Sequence, residues 1–451
     1  MILLLLLSYT IPVDSPIMDN IEYLQVRGLI DIPSIRPYEL EWIIPQIDEL
    51  LINDVKLNLL DRKTISFFNP LLTKNQDFSY LIHGNTLYQY EPEYWQGFFD
   101  LRLGGQLAKN FRFSQALRFQ RASDIDTTGP RSWHDFQVYL TEGMIKAETG
   151  LLHFDIGRRN YLLGFGDESD LLLSLDPQGY DGFLMYIPTR YFEFYNIFSV
   201  LDISQNRYIS IHRIGVDLKR FLRIGFSEAL LFGQSLEPMY LNPFLPYYLS
   251  QWGLDRNDNI MWCFDLQLRL FKSIIYGELL IDDYMYEDDP YPDKLGYKIG
   301  FKSVLFNNFL VKMNYSFVDK WMYTHRIQDN VFVHGTHPLG FPLGNDVDRL
   351  SCSVKYMNRY GFYPVVTFEY VRKGQGSIFL PYEQEGGTWT PPFPSGIVEK
   401  KLEVDFGFDL ILRYNFYCSA KLGKRYWRNY SHVPGNDNSE TVLNISLWAI
   451  L

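Results

Sequence analysis

The sequence predicts an all-β transmembrane antiparallel β-barrel of about 18 strands, joined to a small N-terminal α-helical bundle. Three observations predict it. Hydrophobicity alternates with a period of two from near residue 78 to the chain end. Connections between the alternating segments are short and long by turns. Aromatic residues form 17% of the chain, with 33 Tyr and 34 Phe, as girdles at two membrane interfaces would require.

Composition narrows the classes. At 451 residues, Lys+Arg 42 against Asp+Glu 53 leave a net charge of −11, so the basic footprint of a nucleic-acid binder is missing and no nucleic-acid partner is expected. A hydrophobic content of 47% excludes a disordered chain. A mean hydropathy of −0.15 excludes a helical membrane protein. Cys263, Cys352 and Cys418 are too scattered for a disulfide framework and read as free, packed thiols.

Residues 1–13 open with MILLLLLSYT, which has the apolar core of a secretory signal without its basic start or small-residue cleavage site. The alternative is a short buried strand. Residues 14–77 read as three short helices expected to form a periplasmic bundle. Ser15-Pro16 supplies a cap and first turn, Asp19 favours the helix dipole, and Gly28 closes the segment. A second start lies at Arg36-Pro37-Tyr38, with Leu40, Ile43, Ile44, Ile47 and Leu51 as the inward stripe; Pro45 is expected to kink or split it. A third, weaker stretch runs from Asn53 to about Phe68. So small a bundle is expected to dock on the rest of the chain.

Residues 78–451 carry the barrel pattern. In Lys401 to Arg413, Leu402, Val404, Phe406, Phe408, Leu410 and Leu412 share one face, and Glu403, Asp405 and Asp409 the other. Trp262, Phe264, Leu266 and Leu268 likewise oppose Asp265, Gln267 and Arg269. Tight links are read at Lys109-Asn110, Thr149-Gly150, Lys272-Ser273, Asn307-Asn308 and Tyr414-Asn415. Long Pro/Gly-rich connections span 232–258, 320–346 and 374–399. Short turns mark the periplasmic end of an outer-membrane barrel and long loops the outside. For the first link to be short, a chain starting in the periplasm needs an ascending strand before it, and Phe78 to Tyr90 is the segment available.

No cofactor and no metal site is expected: the histidines are isolated, and His334 with His337 lacks a carboxylate or thiol companion. Gly164-Phe165-Gly166 does not open a helix after a parallel strand, so it is not a dinucleotide fingerprint. Glu228, Asp282 and Asp283 offer carboxylates for glycoside hydrolysis, weighed against inward acids that simply pair with Arg and Lys. Arg102, Arg112 and Arg118 share the polar parity of neighbouring strands, and Arg158-Arg159 lies soon after, at the mouth of a long connection. This reads as a basic stripe suited to bidentate binding of acidic sugars. One loop gathers Tyr240, Asn242, Phe244, Tyr247, Tyr248 and Trp252, either as a sugar platform or as a packed lid.

Several blocks resemble the Wzi-type capsule assembly proteins of the outer membrane. They are Gly157-Arg158-Arg159-Asn160 through Leu171-Leu172-Leu173-Ser174, Gly225-Phe226-Ser227-Glu228-Ala229, Tyr240-Leu241-Asn242-Pro243-Phe244 and Asp258-Asn259. Tyr276 through Asp283, His337-Pro338-Leu339-Gly340, Asp346 and Asp348 extend the likeness, as do Arg27-Gly28-Leu29 and Arg36-Pro37-Tyr38. It departs where the family has Trp-Gly-Pro-Gly and this chain has Leu163-Gly164-Phe165-Gly166, so a ligand contact through that indole does not carry over. The resemblance implies an outer-membrane barrel of about 18 strands with a periplasmic helical bundle, and a non-catalytic, lectin-like role in holding capsular polysaccharide at the cell surface. The polysaccharide-binding residues expected from sequence are Arg102, Arg112, Arg118, Arg158, Arg159, Glu228, Tyr240, Asn242 and Trp252. The expected surroundings are outer-membrane lipid and capsular or other surface polysaccharide, with a periplasmic partner of the bundle as a further candidate. A porin is the first rival reading, and a barrel enzyme acting on glycan or lipid the second.

Overall fold

A computed structural model describes residues 10–450 apart from 12, 14, 16, 54–55, 69–77, 90–93, 122–132, 135, 167–169, 176–178, 190, 219–220, 285–290, 387–389 and 414–415. The expected link at Tyr414-Asn415 and the apolar opening at residues 1–9 therefore lie outside the described residues.

The sheet is a closed antiparallel barrel of 18 strands. In chain order these are β1 (Phe78–Gln89), β2 (Tyr94–Ala108), β3 (Phe111–Arg121), β4 (Phe136–Thr149), β5 (Leu152–Arg159) and β6 (Tyr180–Pro188). Next come β7 (Phe192–Asp202), β8 (Arg207–Leu218), β9 (Leu222–Phe232), β10 (Asn259–Leu270), β11 (Ser273–Asp283) and β12 (Lys294–Leu305). The last six are β13 (Phe309–Val318), β14 (Val347–Tyr356), β15 (Phe362–Lys373), β16 (Glu399–Arg413), β17 (Phe416–Arg428) and β18 (Asn438–Ile450). Each strand pairs with its sequence neighbours, and β18 pairs with β1, from Val442 opposite Gln89 to Ile450 opposite Leu81. The additional strand inferred from parity is thus the one that closes the barrel, and closure leaves no open edge.

The wall is apolar outside and charged inside, the reverse of a soluble protein. On β9, Ile224 is 47% exposed while its neighbour Arg223 is buried. The same inversion sets exposed Phe264 and Leu266 beside buried Asp265 and Gln267 on β10. Aromatic side chains crowd the short-turn end: Phe221, Phe271, Phe306, Tyr360 and Phe416 are exposed, Phe271 at 99% and Phe306 at 86%. Such a ring belongs at a membrane interface, so the barrel is a transmembrane one of the outer-membrane type.

Three helices precede the barrel: α1 (Ile17–Val26), α2 (Leu40–Ile52) and α3 (Leu59–Ser66). The Ser15 side chain accepts from the Ile17 amide at 3.3 Å, and Gly28 takes the positive φ of +73° that ends the segment. Asn58 and Asp61 form a reciprocal capping box on α3. Contrary to expectation, Pro45 does not split α2, which runs unbroken through it. One lost backbone bond there is outweighed by burial of Leu40, Ile43, Ile44 and Ile47, each contributing about 1.5–3 kcal/mol.

The helices have no core of their own. Ile21, Leu24, Ile43 and Ile47 share one buried cluster with wall residues such as Ile274, Val304, Tyr363 and Trp448. The segment sits at the short-turn end, where the Tyr23 hydroxyl donates to the Asn307 carbonyl at 3.2 Å. Thr10–Ile11 pairs with Tyr38–Glu39 as a short strand within this segment.

Candidate functional site

A barrel of this strand number, unfilled, leaves an aqueous channel. Here two stretches of chain enter the lumen from opposite ends and meet. From the short-turn end comes Ile35–Arg36; from the long-loop end comes Leu162–Leu163, and the two pair as a short antiparallel ladder. Beside it the Arg36 guanidinium donates to Asp170 at 2.5 Å, and Lys298 of β12 lies 3.3 Å from both Asp170 and Glu278. The Leu171 amide donates to Glu278 at 3.0 Å. All four charged side chains are buried, so each charge is compensated within the cluster as low dielectric demands.

Gly164-Phe165-Gly166 lies in this crossing. The Gly164 amide donates to the Ser34 carbonyl at 2.7 Å, and the Phe165 ring lies against the Arg213 and Arg223 guanidiniums, 5.4 and 4.6 Å from its centroid. A Cβ on Gly166 would fall within 2.5 Å of Lys298, Asp170 and Glu278 side-chain atoms, so the tight packing explains a glycine there. From above, Leu171, Leu172 and Leu173 pack with Tyr323, Phe332 and Phe341 of the 319–346 loop. The Tyr323 hydroxyl donates to the Leu171 carbonyl at 2.6 Å. A lumenal cavity of about 390 Å³ remains on the β13–β18 side, lined by Asp19, Lys312, Arg349, Glu369 and Glu403 among others.

The residues nominated from sequence do not gather in one place. Arg102, Arg112 and Arg118 do face inward on one side of the lumen. Arg118 binds Asp100 through two hydrogen bonds of 2.8 Å, Arg102 reaches Glu142 at 3.3 Å, and Arg112 pairs with Glu41 and Glu148. Arg159 is buried against Glu39 at 2.6 Å and donates to the Pro37 carbonyl at 2.8 Å, tying β5 to the N-terminal segment. The basic stripe is thus matched with carboxylates along its length. Arg158 points the other way, onto the outer face, where its Nε donates to Asp181 at 2.7 Å.

Glu228 also faces outward, sharing its side of β9 with Ile224 and Phe226. It accepts from the Tyr247 and Tyr248 amides at 2.7 and 3.0 Å and from the Trp262 indole at 3.1 Å, with His212 Nε2 at 3.0 Å. Those amides begin α4 (Tyr247–Leu254), so the carboxylate caps this helix and holds the 233–258 loop against the barrel's outer wall. Tyr240 is fully buried beneath the loop, its hydroxyl donating to Asp258 at 2.9 Å. Asn242 is exposed and its side chain accepts from the Phe244 amide at 3.1 Å. Trp252 is 71% exposed.

Asp282 accepts from the Tyr323 amide at 2.8 Å, and Asp283 pairs with Lys294 at 2.6 Å. His334 and His337 face each other across a two-residue hairpin. Among the described residues, no three His, Cys, Asp or Glu side chains gather as a metal site requires. The three cysteines are free, with Cys263 buried. Sequence reasoning missed Arg36, Asp170, Glu278 and Lys298 as a set. Their only signal was that Arg36, Asp170 and Glu278 each fall within a family-like block.

Set against solved structures, the chain has a counterpart over its full length. It is similar to Wzi. That protein is described as an outer membrane protein involved in group 1 capsule assembly in Escherichia coli and a carbohydrate binding β-barrel. The TM-score is 0.69 at 14% identity, covering 98% of each chain. Pseudomonas aeruginosa OccK3 (OpdO) aligns at a TM-score of 0.48 and 12% identity, covering 83% of this chain and 96% of that one. Acinetobacter baumannii OccAB4 aligns at 0.47 and 10%, covering 83% and 98%. No family model matches the sequence, and no curated protein matches it. At this identity the likeness to Wzi is one of fold: an outer-membrane-type barrel with a helical N-terminal part.

Proposed function

We propose that this chain is a lectin-like outer-membrane protein of a Gram-negative bacterium that holds capsular or other surface polysaccharide at the cell surface. The observation that carries the reading is the crossed lumen. The Arg36–Asp170–Lys298–Glu278 cluster joins the two ends of the barrel through its interior, which favours a binding platform over a conduit. Full-length likeness in fold to a carbohydrate binding barrel supports the same reading. In this orientation the short turns and the N-terminal helices face the periplasm and the long loops face outward. A polymer presents many repeats, so weak contacts add up through avidity. Of the nominated residues, Asn242 and Trp252 are exposed toward the long-loop end, and Arg158 is half-buried beside Asp181. Glu228, Asp282 and Asp283 are each occupied by internal hydrogen bonds or ion pairs, which supports binding rather than hydrolysis.

The test compares cell-associated with shed polysaccharide in a strain lacking the protein. Increased shedding, restored by the wild-type chain, is expected; unchanged retention overturns the proposal. A porin is favoured by one observation, the charged cavity of about 390 Å³ along β13–β18. A steady open conductance in planar bilayers would select it. For the helices, closing the periplasmic mouth is the simpler role, and a periplasmic partner is the alternative. Leu51 is exposed at the end of α2 instead of lying on the inward stripe expected of it, and Ile52 beside it is also exposed. Substitutions on these two residues separate the readings, since they leave the lumenal contacts intact.

A further inference from the structure

The outer wall is incomplete as a lipid surface over β7–β10. Across β8, β9 and β10 the outward rungs are aligned in register. Val216, Ile224 and Leu266 form one rung, and Ile214, Phe226 and Phe264 the next toward the long loops. The rung above is polar: His212, Glu228 and Trp262. Bare apolar wall on β9 therefore runs only from Leu222 to Phe226, roughly 13 Å along the strand at about 3.3 Å per residue. With a tilt near 40° this covers roughly 10 Å of membrane depth, against an apolar band of about 25 Å. On β4 the exposed apolar side chains extend from Phe136 to Ile145, roughly 30 Å along the strand, which satisfies the band.

We infer that the 233–258 loop, with α4, supplies the missing surface and lies in the outer leaflet against lipid acyl chains and the headgroup boundary. It folds down over the polar rung instead of projecting into solvent. Its inner side pairs the main polar groups it covers: Glu228 receives the α4 amides and His212 Nε2, and the Tyr247 hydroxyl meets both Asn196 at 3.2 Å and Ser210 at 2.7 Å, leaving His212 Nδ1 as a buried nitrogen without a hydrogen bond. Its outer side carries large apolar side chains, Phe244 at 68%, Leu249 at 64% and Trp252 at 71% exposed, with Asn242 and Asp255 the exposed polar residues beside them. That surface continues directly from the lipid-facing rungs below, and its aromatic content suits the membrane–water interface. An unpaired carboxylate at this depth would cost several kcal/mol, which explains why Glu228 is capped by a helix rather than left on the wall. The occupant is thus lipid, in place of the sugar that the loop's aromatic content suggested for Trp252.

The test uses the full chain reconstituted in vesicles, with Cys263→Ala, Cys352→Ser and Cys418→Ser as background. Nitroxides are attached separately at Leu249→Cys and Trp252→Cys. Controls are Ile224→Cys on the lipid wall and Ser204→Cys on an exposed turn. Relaxation enhancement by oxygen is expected to exceed that by a water-soluble nickel chelate several-fold at 249 and 252, as at 224. Chelate access equal to that at 204 would place the loop in water and overturn the inference. Spin–spin broadening between labelled copies, with both reagents excluded, would assign the patch to a second copy and equally overturn it. If the cysteine background fails to fold, Trp252→Phe in the native chain serves instead: quenching by brominated lipid should fall relative to wild type, and unchanged quenching refutes the inference.

Discussion

Arg36 and Asp170 meet in the middle of the barrel, although one rises from the short-turn end and the other descends from the long loops. Neither side chain is exposed, so each charge depends on the other and on Lys298. Asp170→Asn leaves Arg36 and Lys298 with Glu278 as the remaining acid of the cluster. Removing one member of a buried pair costs about 3–5 kcal/mol, whereas replacing the pair by apolar residues is often neutral. Asp170→Asn should therefore lower stability toward urea markedly and raise bilayer conductance, and Arg36→Met with Asp170→Leu should recover much of the stability. Equal losses in the single and double variants would show that the pair does not hold the crossing.

Acid should loosen the N-terminal segment. Burial by itself raises the Glu39 carboxyl, but Lys146 and Arg159 override it and hold it down to about 2 from an ordinary 4.5. Asp19 on α1 is likewise buried, yet held far below the usual carboxylate range by Lys312 and Lys355. A depressed native value means stabilisation that is complete above the ordinary value and disappears as protons bind. Docking should thus weaken progressively from about pH 4.5 toward 2, and protease cleavage within residues 17–66 should rise over that window. Glu39→Gln should show the enhanced cleavage already at neutral pH, with a smaller further change on acidification.

The barrel was legible because its signal is repeated in every strand: apolar outside, charged inside, at a period of two. Even the strand at Phe78–Gln89 followed from counting turns. Helix ends were legible at Ser15 and Gly28, but the capping box at Asn58 was missed, the third helix being placed from Asn53, and the split expected at Pro45 does not occur because burial decides that helix. The lumenal cluster was not legible. Glu278 and Lys298 are opposite partners on adjacent strands, but Arg36 and Asp170 are far from them and from each other in sequence, and no local pattern joins the four. Glu228 shows the same limit in another form. Its parity with Ile224 places it outside, but the loop that covers it is a tertiary fact, so an outer-wall carboxylate was read together with lumenal acids.

The 319–346 loop carries its own acid sensitivity. Burial lowers the His325 imidazole to about 4, because a charged ring there would lose its hydration. The Nδ1 atom lies 3.0 Å from the Ile327 amide and 3.2 Å from the Ile327 carbonyl, and this backbone contact favours the charged ring but is outweighed by burial. The folded loop binds the proton less readily than the open one, so its stability is complete above about 6.5 and declines as pH falls toward 4. Hydrogen exchange of Tyr323, Phe332 and Phe341 amides should accelerate between those values. His325→Gln should remove that step while leaving the lower transition of the N-terminal segment in place.

Strand pairing at β5, β6 and β7 depends on two glycines that face each other. Gly182 lies opposite Gly157 on one side and Ser199 on the other. A Cβ at Gly182 would stand 1.8 Å from the Phe198 carbonyl oxygen, and one at Gly157 would stand 1.9 Å from that of Gly143. These neighbours are backbone, so they give way only if the ladder opens. Gly157 also has φ of +136°, a conformation that side-chain-bearing residues rarely adopt. Gly182→Ala tests the contact without the dihedral, and Gly157→Ala tests both together. Each should reduce the heat-modifiable folded band on cold SDS gels, with Gly157→Ala the more severe. The comparison site is Gly84 on β1, where nothing lies within 4 Å of an added Cβ, so Gly84→Ala should fold as wild type does. Loss of the folded band in all three variants alike would show that this wall tolerates no added methyl and that close backbone approach is not the cause.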